Sequence, residues 1–285
     1  MEKKRVGLAL SGGAAKGLAH IGVLEILQKE GIPIDIIAGT SAGALVGSVF
    51  AQGKDMETIK KEALSLSGVR KIASLADLTW FKSGLIKGKR IKDFLRRLIG
   101  GDVQFADTKI PFAVVATDIN TGEEVVIKEG SVIEAVRASI AIPGIFTVVK
   151  WNGRYLVDGS LVNPMPVNVV RDMGADFVIA VNVIPDFAER ASRVTHGGTK
   201  SPREPNIFSV MVQSIYIGTY TVLNSRLESA DVTIKPHLVH IGPFDFHRIQ
   251  ECVRQGELAA QDAIPEIKRR LESAGIELKQ TSEIQ

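Results

Sequence analysis

A single cysteine in 285 residues, Cys252, leaves no partner for an intrachain disulfide, which fits a reducing, cytoplasmic setting. No nucleophile motif surrounds it, so a half-exposed helix cysteine is expected rather than a catalytic thiol. Charge of neither sign dominates: 35 Lys and Arg face 32 Asp and Glu, a balance of +3 that gives no reason to expect nucleic acid. Long apolar runs are also missing. Ile36 to Ala51 is uncharged but shorter than a membrane span and rich in small residues. Met1 to Ala19 opens like a signal peptide, but Lys16 interrupts it and Gly12-Gly13 stands where the apolar stretch should continue. Both segments read as strand–turn–helix units, so any membrane contact is expected to be peripheral. No repeat, low-complexity tract or convincing metal-ligand cluster appears, and no cofactor is expected.

What is present is a chain that is 45% hydrophobic, enough for one large core. A single domain over residues 1–285 is expected. Arg5 to Leu10 reads as a strand, Ser11 to Gly17 as a glycine-rich loop, and Leu18 to Lys29 as a helix stopped by Gly31 and Pro33. Ile34 to Ala38 reads as a second strand and Ala42 to Gln52 as a helix. Phe112 to Thr117 and Val125 to Lys128 read as strands joined through Asn120-Thr121-Gly122, and Val132 to Ser139 as a short helix. A hairpin turns at Asn152-Gly153, and Phe177 to Val183 is a buried strand. The Gly- and Pro-bearing 185–206 stretch is expected to be a mobile loop. C-terminal helices are expected within 207–273, near Ile207 to Ser225 and Ile264 to Leu271, with a short strand near Val232. Strands alternating with helices imply a three-layer α/β/α fold with a mainly parallel central sheet.

Three stretches carry chemistry. Gly39-Thr40-Ser41-Ala42-Gly43 follows an apolar segment and precedes another, the strand–turn–helix setting of a nucleophile elbow. Its glycines admit the sharp turn, and the helix N-terminus beyond Ser41 favours developing negative charge. The same pentapeptide also occurs by chance. Ser11-Gly12-Gly13-Ala14-Ala15-Lys16-Gly17 fails as a Walker A loop, because Leu18 stands where Ser or Thr is needed. Ala14 at the middle position weakens a dinucleotide fingerprint. An oxyanion hole and a plain tight βα turn remain. Leu156-Val157-Asp158-Gly159 places an aspartate either at a strand end facing a cleft or in an ordinary turn. The five histidines are His20 in the first helix, packed or half-exposed, His196 in the expected loop, and His237, His240 and His247 downstream. The last three follow the aspartate and leave a Ser–His–Asp triad, in chain order Ser, Asp, His, open.

Taken in order, Gly12 to Gly17, Gly39 to Gly43, Ala138-Ser139-Ile140-Ala141-Ile142-Pro143-Gly144-Ile145-Phe146 and Asp158-Gly159 resemble the motifs of the bacterial patatin-like phospholipases. The resemblance covers about residues 5 to 184. It implies a Ser–Asp dyad, with Ser41 as nucleophile and Asp158 as base, and oxyanion N–H groups from Gly12, Gly13 and Ala14. It also implies hydrolysis of carboxylic esters of lipids. Two residues depart from the pattern: Ala14 stands where a third glycine is usual, and Ser160 where glycine or alanine is common. A carboxylate near its usual pKa of about 4 is a weak base toward serine, which makes tight Ser–Asp geometry a requirement. Lys16 and Arg137 are read either as contacts for an anionic head group or as surface or structural salt bridges. The basic, apolar-interleaved 78–99 segment is read either as a lid or interfacial element meeting anionic lipid or as an amphipathic helix packed on the core. A non-catalytic lipid-binding module on the same fold is the remaining alternative.

Overall fold

The computed structural model of the chain describes residues 3–65, 88–186, 207–227 and 229–279. The first part of the 78–99 segment and nearly all of the 185–206 stretch lie outside these described residues. Among the described residues, eight strands form one sheet: β1 (Val6–Leu10), β2 (Ile36–Thr40), β3 (Phe112–Asp118), β4 (Glu124–Ile127), β5 (Val149–Trp151), β6 (Arg154–Asp158), β7 (Phe177–Val181) and β8 (Val232–Ile234). The order is β5-β6-β3-β2-β1-β7-β8, with β4 also on β3. The β3-β2-β1-β7-β8 block is parallel, and β4, β5 and β6 pair antiparallel.

The helices are α1 (Ala19–Lys29), α2 (Ala42–Phe50), α3 (Met56–Ser65), α4 (Gly88–Ile99), α5 (Val132–Ser139), α6 (Val167–Asp172), α7 (Ile207–Leu227) and α8 (Ile249–Ser273). Alternation along each strand sorts side chains onto two faces. Leu8, Leu10, Ile37, Val114 and Ile179 join α1, α2, α5 and α8 in the larger core. Ala9, Ala38, Ala113, Val115 and Ala180 face α6 and α7 in the smaller one. Small residues on that second face keep its helices close to the sheet. The architecture is therefore the three-layer α/β/α arrangement expected from the sequence.

The C-terminal helix is longer than its sequence pattern suggests. It begins at Ile249 rather than near Ile264, and Pro265 lies inside it. It crosses α1 at glycine: a Cβ on Gly22 would meet the Val253 carbonyl oxygen at 2.1 Å, and one on Gly256 the Ala19 carbonyl oxygen at 2.0 Å. This crossing buries Cys252 completely, correcting the half-exposed expectation, and burial pushes its thiol up to about 11.

The register of β3 positions the site. β2 pairs with residues 112–115 of β3, β4 with 114–117 and β6 with 116–118. Because β4 overlaps both of the others, β2 and β6 must share the opposite edge. The parallel β2 and antiparallel β6 therefore run toward each other along one edge. Their C-terminal residues, Thr40 and Asp158, pair with the consecutive β3 residues Val115 and Ala116.

Candidate active site

Ser41 sits between β2 and α2 with φ 54 and ψ −119, a conformation that L residues hold only when neighbours impose it. The neighbours are close. A Cβ on Gly43 would lie 2.3 Å from the Leu10 carbonyl oxygen, and one on Gly39 2.6 Å from the backbone of Ala44. The Ser41 N–H donates to Ser139 Oγ at 2.7 Å, and that hydroxyl donates to the Val115 carbonyl at 2.6 Å. Asp158 ends β6. Its Oδ2 accepts the Ser41 hydroxyl at 2.7 Å, and its Oδ1 accepts the Ser160 N–H at 2.8 Å. Thr117 Oγ1 donates to the Asp158 carbonyl at 2.8 Å. Burial pushes the Asp158 carboxyl up to about 6, against the opposing pull of the bonds from Ser41 and Ser160. This differs from the expected ordinary carboxylate, because the side chain is only 4% exposed.

The glycine loop follows β1. Gly13 and Ala14 line the same pocket as Ser41 and Asp158. Gly12, one of the three expected donors, is not among the residues lining that pocket, and its N–H donates to the Pro164 carbonyl at 3.0 Å. A Cβ on Gly12 would lie 2.3 Å from Ser160 Oγ, so a larger residue there would require that hydroxyl to rotate away. Ala14 adopts φ 49, the left-handed conformation that favours glycine.

Residues 8–171 match the family model described as patatin-like phospholipase. The chain belongs to the patatin-like phospholipase family. An uncharacterized NTE family protein of Mycobacterium tuberculosis is 39% identical over 179 residues, covering 63% of this chain and 49% of that protein. Lysophospholipase NTE1 of Saccharomyces cerevisiae is 27% identical over 271 residues, covering 88% of this chain and 16% of the yeast protein. The chain thus spans half or less of the length of these relatives. VipD from Legionella pneumophila shares the fold, with a TM-score of 0.51, 15% identity, and 93% of this chain and 67% of VipD covered. A serine acyl hydrolase, the enzyme class expected from the sequence, is the class to which this patatin-like family points.

The other sequence candidates fall on either side of the patatin-like site. Lys16 is buried rather than at the surface, with its ammonium 5.6 Å from the Tyr216 ring centroid. It lines a neighbouring cavity of about 240 Å³. Arg137 is half-buried and donates to Thr147 Oγ1 at 2.9 Å. His20 is fully buried; its Nε2 lies 2.9 Å from the Ser11 carbonyl, and burial pushes it down to about 4, so it is neutral at pH 7 and donates there. None of His237, His240 and His247 lines the Ser41–Asp158 pocket, and His240 pairs with Glu251 at 2.5 Å. His196 lies outside the described residues. In the described part of 78–99, Leu95 and Ile99 are buried and Lys92 pairs with Glu134 at 2.6 Å. No helix among the described residues is long and apolar enough to cross a membrane.

Two features escaped sequence reasoning. Ser139 lay inside a recognised motif, but nothing local marks it as a partner of Ser41. The roof of the pocket was the other: Ile215, Tyr216 and Thr219 of α7 and Phe244 close over the pair. They leave a cavity of about 30 Å³.

Proposed function

We propose that the protein hydrolyses carboxylic esters of lipids, in the manner of a phospholipase A, lysophospholipase or esterase, through an acyl-enzyme on Ser41. The observation that carries this reading is the 2.7 Å bond from the Ser41 hydroxyl to Asp158 Oδ2. Ser41 Oγ attacks the ester carbonyl carbon as its proton passes to Asp158. That proton then leaves with the alcohol as the ester C–O bond breaks. Water, deprotonated by the same carboxylate, attacks the acyl carbon and releases the fatty acid and Ser41. A carboxyl group near pKa 6 suits this task, because at pH 7 it is about 90% ionised yet more basic than an ordinary aspartate. The N–H groups of Gly13 and Ala14 are the candidate oxyanion donors. Losing one such donor typically costs about 100-fold or more.

The name of the yeast relative supports a lysophospholipid as the first substrate to try. The pocket of about 30 Å³ is far below the roughly 300 Å³ or more of a ligand site, so on this reading substrate entry involves displacement of its α7 side. Peripheral contact with an anionic membrane belongs to the same proposal, with Arg96 and Arg97 on the exposed side of α4 as its described basic groups. The test is the intact mass of wild type, Ser41→Ala and Asp158→Asn after exposure to a fluorophosphonate ester, with and without lipid vesicles. One adduct on wild type is expected, with none on Ser41→Ala and much slower uptake by Asp158→Asn. Uptake by Ser41→Ala equal to wild type would overturn the assignment. A wild type that stays unlabelled even with vesicles would favour a lipid-binding module.

A further inference from the structure

Strand β3 touches both halves of the reacting pair without contributing to it. Val115 pairs with Thr40, the residue before the nucleophile, and Ala116 pairs with Asp158. Each half is then tied to β3 by a buried hydroxyl. Ser139, at the end of α5, accepts the Ser41 N–H at 2.7 Å and donates to the Val115 carbonyl at 2.6 Å. Thr117, on β3 itself, donates to the Asp158 carbonyl at 2.8 Å. The backbone is drawn in as well: a Cβ on Gly159 would lie 2.3 Å from the Val115 carbonyl oxygen.

Resting on the Ser41–Asp158 reading above, we propose that Ser139 and Thr117 are positioning residues that set the separation of nucleophile and base by fixing each to β3. The two bonds of Ser139 have opposite senses, which locks its hydroxyl rotor. Its oxygen satisfies a buried N–H that φ 54 at Ser41 would otherwise leave without a partner. Removing the hydroxyl releases the elbow toward an ordinary backbone conformation and carries Ser41 Oγ away from Asp158. Thr117 does the same for the other partner, holding the strand end from which the carboxylate projects. Neither hydroxyl lines the substrate pocket, so both act on the chemical step and not on substrate binding. A misplacement of about 1 Å at a reacting atom can cost on the order of 100-fold.

The experiment measures the fluorophosphonate labelling rate, together with kcat and KM on a soluble short-chain ester, for wild type, Ser139→Ala, Ser139→Cys, Thr117→Val and Thr117→Ser. Thermal unfolding of each confirms the fold. The expected result is labelling and kcat reduced about 10- to 100-fold in Ser139→Ala and Thr117→Val, with KM within about twofold of wild type. Thr117→Ser keeps the hydroxyl and should recover most of the rate. Ser139→Cys, a weak donor and acceptor, should fall between. A folded Ser139→Ala labelled at the wild-type rate overturns the proposal, as does a Thr117→Ser variant as slow as Thr117→Val. If Ser139→Ala does not fold, the two Thr117 variants decide. An unlabelled wild type, or labelling that survives Ser41→Ala, instead sinks the dyad reading and this inference with it.

Discussion

The floor and the roof of the pocket meet the same two side chains by different means. Beneath Ser41 and Asp158, hydroxyls from Ser139 and Thr117 and the Ser160 amide hold the backbone and carboxylate at 2.6 to 2.8 Å. Above them, α7 covers the pair with Ile215, Tyr216 and Thr219. Thr219 Oγ1 is tied to the Ser160 carbonyl by a longer bond of 3.2 Å. The floor is built from strand register. The roof is a helix with no charged residue from Ile207 to Ser225, and its outward Val210 and Ile217 are exposed. On the proposed reading, short directional bonds hold the floor, while the α7 side of the pocket is lined by Ile215 and Tyr216 with one longer bond from Thr219. A site that must keep sub-ångström geometry and still open gains from separating the two tasks.

The most severe way to break the floor is Gly43→Ala, whose new Cβ would sit 2.3 Å from the Leu10 carbonyl oxygen. A loss of at least about 4 kcal/mol is expected by chemical denaturation, with labelling abolished. Next comes Asp158. Its folded pKa of about 6 exceeds the 3.8 of the free side chain, so the fold binds this proton more tightly than the unfolded chain does. The cost of the buried charge is absent below pH 4, grows as pH rises from 4 to 6, and reaches about 3 kcal/mol at neutral pH. Asp158→Asn should therefore raise stability by about 2 kcal/mol at pH 7.5 and leave it unchanged near pH 3.5, while slowing labelling. Equal gains at both pH values would contradict the buried charge. The wild-type rate should fall on the acidic side with a midpoint near pH 6.

The roof offers smaller effects that sharpen the contrast. Tyr216→Ala should speed labelling by a bulky fluorophosphonate about 3- to 10-fold and change a small one little. Equal effects on both probes would mean that α7 does not limit entry. Ala14→Gly, relieving φ 49, should add about 0.5–1 kcal/mol to stability and leave activity within about twofold.

Much of the floor was legible because its residues announce themselves locally. Glycines flank Ser41, an apolar run precedes it, and Asp158-Gly159 closes a strand. Strand period and turn residues also placed β1, β2, β3 and α5 within a few residues. Pairing information was not legible. Nothing near Ser139 or Thr117 says that each reaches β3 or β6, and no window of sequence shows that β2 and β6 share an edge. The pKa of Asp158 depends on burial by distant segments. The first half of α8 was not singled out in the sequence; its Gly256 is where α1 approaches, since a Cβ there would lie 2.0 Å from the Ala19 carbonyl oxygen. The roof was hidden because α7 mixes apolar and small polar residues around its whole circumference, so periodicity could not tell its inner face from its outer one.

The meeting of two strand ends on neighbouring residues of β3 has a consequence for how this chain can vary. Inserting one residue between Val115 and Ala116 would slide Thr40 and Asp158 apart by about 3.3 Å, and a one-residue insertion or deletion anywhere in 112–118 would turn the side chains beyond it to the wrong face. A few residues later, the exposed Asn120-Thr121-Gly122 turn has no such duty, and a Cβ on Gly122 would meet nothing within 4 Å. Length is frozen in the strand and free in the turn beside it, so descendants of this sequence can grow at 120–122 but must copy the seven residues of β3 at constant length.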